Sequence, residues 1–348
     1  MTQAFVPAPA AALPPRGALS RPRRALRAVA VVSCVPYLSL KLAWIAGSRV
    51  GIPEGSSLLD HRGLMVVANT VTVLMDAVVI VLALLLTRPW GQRVPAWLLG
   101  PAMWAATGLL TPIMAGFPAQ LAVRALGGSV AGHGGGDEQA FLDEWVFGVV
   151  YGGFILQGIS LGLLFALYAR DRWGHLWRGR LADLPAPRPG RAVRACAVAA
   201  AVLALYPAAL RLLWAGGSAL GLNAAQADAR TADFAVLRTL DAGYLAAAAA
   251  GALVLAFRWA PALPVKLPLA LTWVGSGAVG CWGAWQFAAS FGAAADASDQ
   301  PTTAMVLSYA VQMIIGALGA AVGARFLKER ADAGQPSGVR QRVGGGGV

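Results

Sequence analysis

Apolar segments as long as a lipid bilayer is thick recur along the chain. An α-helix rises 1.5 Å per residue, so about 20 residues cross a hydrocarbon core roughly 30 Å thick. Eight segments have this length and composition: 26–47, 64–87, 95–117, 146–169, 193–215, 235–257, 267–290 and 303–325. Only 13% of the residues are charged, well below the roughly 25% of soluble domains. The sequence therefore predicts an all-α polytopic integral membrane protein with eight transmembrane helices, spans 1 to 8 in chain order.

The connections between these spans alternate in charge. Both tails and the connections after spans 2, 4 and 6 are basic, and the segment 170–194 alone holds seven arginines. The connections after spans 3, 5 and 7 carry more acids than bases, and the connection after span 1 is balanced. Because basic loops tend to stay in the cytoplasm, both termini are predicted to be cytoplasmic. With 25 arginines against three lysines, the composition suggests the plasma (inner) membrane of a bacterium.

The net charge of +12 has two interpretations. In a soluble protein it would indicate a nucleic-acid partner. Here the basic residues are confined to the tails and to alternate connections, which the membrane topology explains without nucleic acid. The predicted partner is therefore the lipid bilayer, with anionic headgroups contacting the cytoplasmic face.

The chain matches itself when it is shifted by 170 residues. This register aligns Lys41 with Arg211, Trp44 with Trp214, Gly47 with Gly217, Ser48 with Ser218 and Gly51 with Gly221. Each unit would hold four spans, an even number, so the two units would have the same orientation and form a parallel repeat. The predicted division is a disordered tail (1–24), a first four-helix unit (25–169), a basic cytoplasmic linker (170–192), a second four-helix unit (193–327) and a disordered tail (328–348).

Ionisable residues lie deep within some predicted spans. There are five of them: Lys41, Asp76, Arg211, Arg238 and Asp241. A charge at such depth costs about 2.5–3.5 kcal/mol, so each belongs to a candidate intramembrane polar site. In each unit the first helix contributes a cation and the second an acid. The sequence therefore predicts two ion pairs, Lys41 with Asp76 and Arg211 with Asp241.

Lys41 and Arg211 also have a simpler interpretation. A long basic side chain can extend to the lipid headgroups, and Trp44 and Trp214, three residues further on, would then be anchors at the same interface. Direct contact with a ligand is a third possibility. The sequence leaves these alternatives open.

Asp76 is too deep to reach either interface, since about twelve helical residues, or roughly 18 Å, separate it from both. It would either respond to protons or cations, or be a protonated acid bonded to Asn69, Thr70, Thr72 or a glutamine. Gln157 and Gln312 lie near the middle of spans 4 and 8. They would join helices by hydrogen bonds or contact a ligand.

Small residues on spans 4 and 8 predict close helix contacts. The motifs are Gly148-x-x-x-Gly152, Gly158-x-x-x-Gly162 and Gly319-x-x-x-Gly323. Such faces pack against helices of the same chain or against a second copy, so a homo-oligomer through spans 4 and 8 is one expectation.

The sequence predicts no cofactor and no metal site. Cys34, Cys196 and Cys281 lack the spacing of metal ligands. His133 lies near Asp137 and Glu138 in a glycine-rich loop, but one histidine beside two acids is a weak metal motif. Phosphate-binding loops and nucleophile elbows are missing from the sequence.

The leading functional hypothesis is a transporter or permease-like protein for a small solute or ion, with a polar pathway between the two units. Asp76 would be its responsive group, partnered by Lys41 and Arg211. One alternative is a non-catalytic scaffold, assembly or sensor subunit. A further alternative is an intramembrane lipid-modifying enzyme, which the scarcity of acid, histidine and cysteine clusters disfavours.

Overall fold

The computed structural model describes residues 20–60, 62–129, 142–184, 189–228, 230–292 and 297–333. Within these ranges the chain forms helices and no β-strand, apart from one isolated bridge between Arg180 and Pro264. The α-helices are α1 (Arg21–Val32), α2 (Val35–Ile45), α3 (Ser57–Asp60), α4 (Arg62–Leu85), α5 (Ala96–Ala125), α6 (Glu144–Trp173), α7 (Arg191–Ala215), α8 (Ala224–Asp228), α9 (Ala232–Phe257), α10 (Lys266–Ala289) and α11 (Thr303–Ala333).

Seven helical segments in the described residues are long and apolar enough to cross a membrane. The first combines α1 and α2, which are separated only by Ser33 and Cys34, and the others are α4, α5, α6, α7, α9 and α11. The predicted class, an all-helical multi-pass membrane protein, is confirmed at this level. Helix α10 has 24 residues but is not among the seven. It packs against α5, α9 and α11, so its surface faces protein and has less need to be apolar.

The connections at one end of the bundle, called the upper end, are joined by hydrogen bonds. Asp143 N donates to Gly51 O at 2.9 Å, and Ala232 N donates to Ser129 O at 3.0 Å. These contacts bring together the connections that follow α2, α5 and α7. The connections that follow α4, α6 and α9 lie at the opposite, lower end.

The segment predicted as a linker, 170–192, is packed at the lower end. Helix α6 continues through it as far as Trp173, and Leu181 N then donates to Leu263 O at 3.0 Å in the connection between α9 and α10. Helix α11 reaches Ala333, so residues 328–333, predicted as part of a tail, are helical. Residues 21–24, also predicted as tail, belong to α1. Residues 1–19 and 334–348 lie outside the described chain.

Helices α7, α9, α10 and α11 form a compact bundle, the second half of the molecule. Glycines allow close approach: a Cβ on Gly275 would lie 2.4 Å from the backbone of Ala248, and one on Gly251 would lie 2.6 Å from that of Thr272. In the first half, α1 and α2 pack on α4 and α6. Helix α5 packs on α6 and also crosses to α10 and α9. The first half is therefore the more open one.

The two halves meet through the backbones of α5 and α10. A Cβ on Gly108 would lie only 2.3 Å from Gly277 O, so neither helix can carry a larger side chain there without moving apart. Nearby, Trp104 Nε1 donates to Ser276 Oγ at 3.0 Å. Close backbone packing of this kind is typical of small residues between membrane helices.

Candidate functional site

The same corner ends α2 and α7. Trp44 Nε1 donates to Val50 O at 2.7 Å, and Trp214 Nε1 donates to Leu220 O at 2.8 Å. Three residues after each tryptophan, a glycine turns the chain with φ of 96° in the first corner and 91° in the second, a conformation that glycine adopts without a steric cost. The basic residue three positions before each tryptophan is thus placed in the same way in both halves.

Both tryptophans are buried, with 6% exposure for Trp44 and 1% for Trp214. An interfacial anchor would present its ring to the lipid headgroups. These indoles instead pack inside the protein and hold the corners by their N–H groups. The positions of both tryptophan rings therefore differ from those expected of interfacial anchors.

Lys41 and Asp76 form an enclosed ion pair in the first half. Lys41 Nζ lies 2.9 Å from Asp76 Oδ2, and their side chains are only 8% and 6% exposed. The ammonium also lies 5.0 Å from the ring centroid of Tyr37 and 5.4 Å from that of Phe154, within range of cation–π attraction. Lys41 therefore points to the acid and not to the bundle surface.

A hydrogen-bond network surrounds the first pair. The Tyr37 hydroxyl lies 3.2 Å from Asp76 Oδ1 and 3.0 Å from Gln157 Oε1, and Gln157 Nε2 donates to Cys34 Sγ at 3.2 Å. Gln157 thus joins α6 to the α1–α2 segment, as expected of an interhelical hydrogen bond. The polar residues proposed from the sequence as alternative partners of Asp76 bond instead to carbonyls of their own helix: Asn69, Thr70 and Thr72.

The second pair is looser and involves three charges. Arg211 Nε lies 3.5 Å from Asp241 Oδ2, and Arg238 Nη1 donates to that same oxygen at 3.1 Å. The side chain of Arg211 is 3% exposed, whereas that of Asp241 is 35% exposed. Two guanidinium groups therefore share one carboxylate oxygen, and the carboxylate remains accessible.

A cavity explains this accessibility. It has a volume of about 250 Å³ and lies in the upper half of the bundle, between helices of both halves. Its lining comes from α5, α6, α7, α9, α10 and α11, and includes the polar or aromatic side chains Phe117, Gln120, Tyr151, Arg211, Arg238, Asp241, Tyr244, Trp282, Gln286 and Gln312. The structure thus gathers three of the five predicted charges at one cavity. Lys41 and Asp76 are not among its lining residues.

The two glutamines singled out in the sequence have different surroundings. Gln157 is fully buried in the first half. Gln312 Nε2 donates to Ser308 Oγ at 3.0 Å within α11, and Gln312 also lines the cavity beside Arg211. Gln312 is thus placed to contact a ligand, and Gln157 is not.

Other residues that line the cavity were not predicted from the sequence. Gln120, Tyr151, Tyr244, Trp282 and Gln286 are uncharged, so they did not stand out among the apolar spans. A partial signal was present, because Trp282 and Gln286 are four residues apart and so share one face of a helix. What places these side chains around one space is the packing of α5 and α6 against the second half.

The glycine motifs differ in how closely other parts of the chain pack against them. Gly319 packs against Ser276, so this face of α11 is occupied within the chain. On α6, a Cβ on Gly158 would lie 2.3 Å from Met114 Sδ, whereas nothing lies within 4 Å of such an atom on Gly148 or Gly152. Gly162, the second glycine of the motif that begins at Gly158, is equally open, so three of the four motif glycines on α6 remain uncovered within the described chain.

The described residues contain no group of three or more histidine, cysteine, aspartate or glutamate side chains able to hold a metal ion. The loop with His133, Asp137 and Glu138 lies outside the described chain. Comparisons with known protein families, with curated proteins and with solved structures each give no match.

Proposed function

We propose that the chain is a transporter or permease-like membrane protein that takes up a small solute through the cavity around Arg211, Arg238 and Asp241. The observation that supports this most strongly is that three charges at membrane depth converge on one accessible space of about 250 Å³ between the halves. Intramembrane charges that face a cavity typically belong to a substrate or ion pathway. The volume is just below the roughly 300–1,000 Å³ of pockets for drug-sized ligands, so the solute is small.

The responsive acid in this proposal is Asp241 and no longer Asp76. Asp76 is enclosed by Lys41 and Tyr37, so a solute in the cavity has no contact with it. Asp241 lines the cavity and keeps 35% of its side-chain exposure. Its partners Arg211 and Arg238 would sense any change in its charge directly.

The proposed membrane arrangement has eight spans in a bacterial plasma membrane, with α10 added to the seven candidates as span 7. The upper end faces outward and both termini are cytoplasmic, following the basic connections at the lower end. Those basic groups would contact anionic headgroups. The repeated corners and ion pairs support the proposal that the two halves are parallel repeats of a four-helix unit.

Movement would have to occur at the lower part of the cavity. There Gly108 meets Gly277, and a Cβ on Gly316 would lie 2.4 Å from Gly280 Cα. These backbone contacts, called the glycine layer, lie beside the lowest lining residues of α10, since Ala278 and Val279 stand between Gly277 and Gly280. A transporter would separate α5 and α11 from α10 at this layer so that the solute could pass.

The test is flux. The full chain is reconstituted into proteoliposomes and offered radiolabelled small anions, cations and zwitterions. We expect uptake of at least one class. The uptake should be lost in Arg211→Met and retained when Lys41→Met and Asp76→Leu are combined. Absence of flux for every class, in protein that is folded and binds a solute, would reject transport.

The glycine layer also favours a second candidate, a sensor or binding subunit of a larger membrane assembly. If the layer stays closed, the cavity binds a solute from the upper side and releases it there. Binding without flux in the same proteoliposomes would support this candidate. The lipid-modifying enzyme has less support, because the described residues that line the cavity include no serine, cysteine or histidine to form a nucleophile–base pair.

A further inference from the structure

The guanidinium of Arg211 has unused hydrogen-bonding capacity. It carries five N–H donors, and its side chain is only 3% exposed. Its Nε has no hydrogen-bond partner, and its ion-pair contact with Asp241 is 3.5 Å long, beyond the usual 2.7–3.2 Å of an N–H···O bond. A buried donor group without an acceptor is costly, so an acceptor bound at this position would be favoured.

The residues that line the cavity carry a net positive charge, which also favours an acceptor with a negative charge. The lining carries two guanidinium groups and one carboxylate. The nearest further acid on α9 is Asp233, which is not a lining residue and already accepts hydrogen bonds from Gln120 and Thr231. A bound group with one negative charge would neutralise the excess and provide the acceptor that Arg211 lacks.

Part of the cavity wall is aromatic. Phe117 and Tyr151 stack with ring centroids 4.8 Å apart, and Tyr244 and Trp282 complete this wall. Trp282 Nε1 donates to Leu109 O at 3.1 Å, so its indole offers the cavity a ring and no free donor. Such a surface packs well against the apolar or aromatic part of a ligand, and a bare inorganic ion has no such part.

We infer that the cavity binds a small organic monocarboxylate whose carboxylate group lies on Arg211 and whose apolar body packs against the wall of Phe117, Tyr151, Tyr244 and Trp282. This inference rests on the proposed solute site but does not require transport. The planar fork of a guanidinium matches the two oxygens of a carboxylate, which a halide cannot reproduce. Arg238, which holds Asp241 at 3.1 Å, keeps that acid from occupying Arg211 fully.

The experiment measures binding to the purified full chain in detergent by calorimetry. The probes are benzoate, acetate, chloride, the neutral amide benzamide and the zwitterion phenylalanine. We expect benzoate to bind most tightly, acetate more weakly because it lacks the body, and chloride and benzamide least. Arg211→Met should weaken benzoate binding by about 10- to 100-fold, the loss of one charge-assisted interaction. Arg211→Lys should weaken it less, because the charge stays while the fork is lost.

Two controls keep the outcome clear. The combined Lys41→Met and Asp76→Leu variant should bind benzoate like the unaltered protein, since that pair lies outside the cavity. Arg211→Gln repeats the test if Arg211→Met does not yield folded protein. Equal binding of benzoate and benzamide, tighter binding of phenylalanine than of benzoate, or unchanged binding in a folded Arg211→Met protein would overturn the inference.

Failure of this inference and failure of transport give different results. If benzoate binds as expected and no solute crosses the proteoliposome membrane, the ligand class stands and the transport proposal fails. If a neutral or cationic solute is transported while carboxylates do not bind, the transport proposal stands and the ligand class is wrong.

Discussion

The two halves of the molecule place a basic residue identically, three positions before a buried tryptophan that holds a helix-ending corner. In the first half, Lys41 is 2.9 Å from an acid and enclosed. In the second, Arg211 is 3.5 Å from an acid that is 35% exposed. The corner alone therefore does not determine whether a charge is structural or available to a ligand.

The position of the acid accounts for part of this difference. Asp76 is the fifteenth residue of α4, and Asp241 is the tenth residue of α9. Five helical residues correspond to about 7.5 Å, so Asp76 lies deeper below the upper end. Only the deeper acid is reached by Tyr37, for which the 170-residue shift gives Pro207 in the second half, a residue without a hydroxyl.

The largest expected effect comes from removing one partner of the enclosed pair. Asp76→Leu leaves the Lys41 ammonium buried without a counter-ion, and we expect the free energy of unfolding to fall by about 3–5 kcal/mol. Unfolding in mixed detergent micelles, followed by circular dichroism, measures it. Adding Lys41→Met should restore most of the loss. If the double variant is as unstable as the single one, the pair is not the source of the effect.

The contact between the halves is the next most sensitive feature. Gly108→Ala places a methyl carbon only 2.3 Å from Gly277 O. Such overpacking typically costs about 1–3 kcal/mol. Gly100→Ala on the same helix is the matched control, because nothing lies within 4 Å of the added atom. Equal thermal stability of the two variants would mean that α5 and α10 are not held together at this point.

The corners should respond equally in the two halves. Trp44→Phe and Trp214→Phe each remove an indole N–H that donates to a loop carbonyl, at 2.7 and 2.8 Å. Each substitution should lower the free energy of unfolding by about 1 kcal/mol, the net value of one hydrogen bond. Thermal unfolding of the two variants side by side provides the comparison. A several-fold difference between them would show that the corners only look alike.

The smallest effect on stability is expected at the accessible acid. Asp241→Asn keeps an oxygen acceptor and alters a side chain that is already 35% exposed, so the loss should be below about 1 kcal/mol. The same substitution should increase the affinity for benzoate, because the two guanidinium groups remain and the competing carboxylate is gone. Calorimetry measures the affinity and thermal unfolding the stability. Weaker binding would mean that the acid contributes to the ligand site.

The sequence was most informative about the helices. Each predicted span begins within a few residues of the start of a described helical segment. The main differences are at the other ends, because α5, α6 and α11 continue beyond the predicted ends of their spans. This follows because an apolar run of about 20 residues satisfies its backbone only as a helix inside a membrane. The position of each deep charge along its helix was readable for the same reason.

The sequence also indicated which acid each of Lys41 and Arg211 meets, since in each unit the cation lies on the first span and the acid on the second. It did not reveal the enclosure of Asp76, because Tyr37 reaches it from another helix and is itself bonded to Gln157 on a third. Nor did it reveal the cavity, whose uncharged residues, such as Tyr151 and Gln286, come from five helices. Periodicity and depth are local properties that one helix determines by itself. Enclosure and cavity shape depend on how helices distant in the chain pack together, and only the tertiary structure decided them.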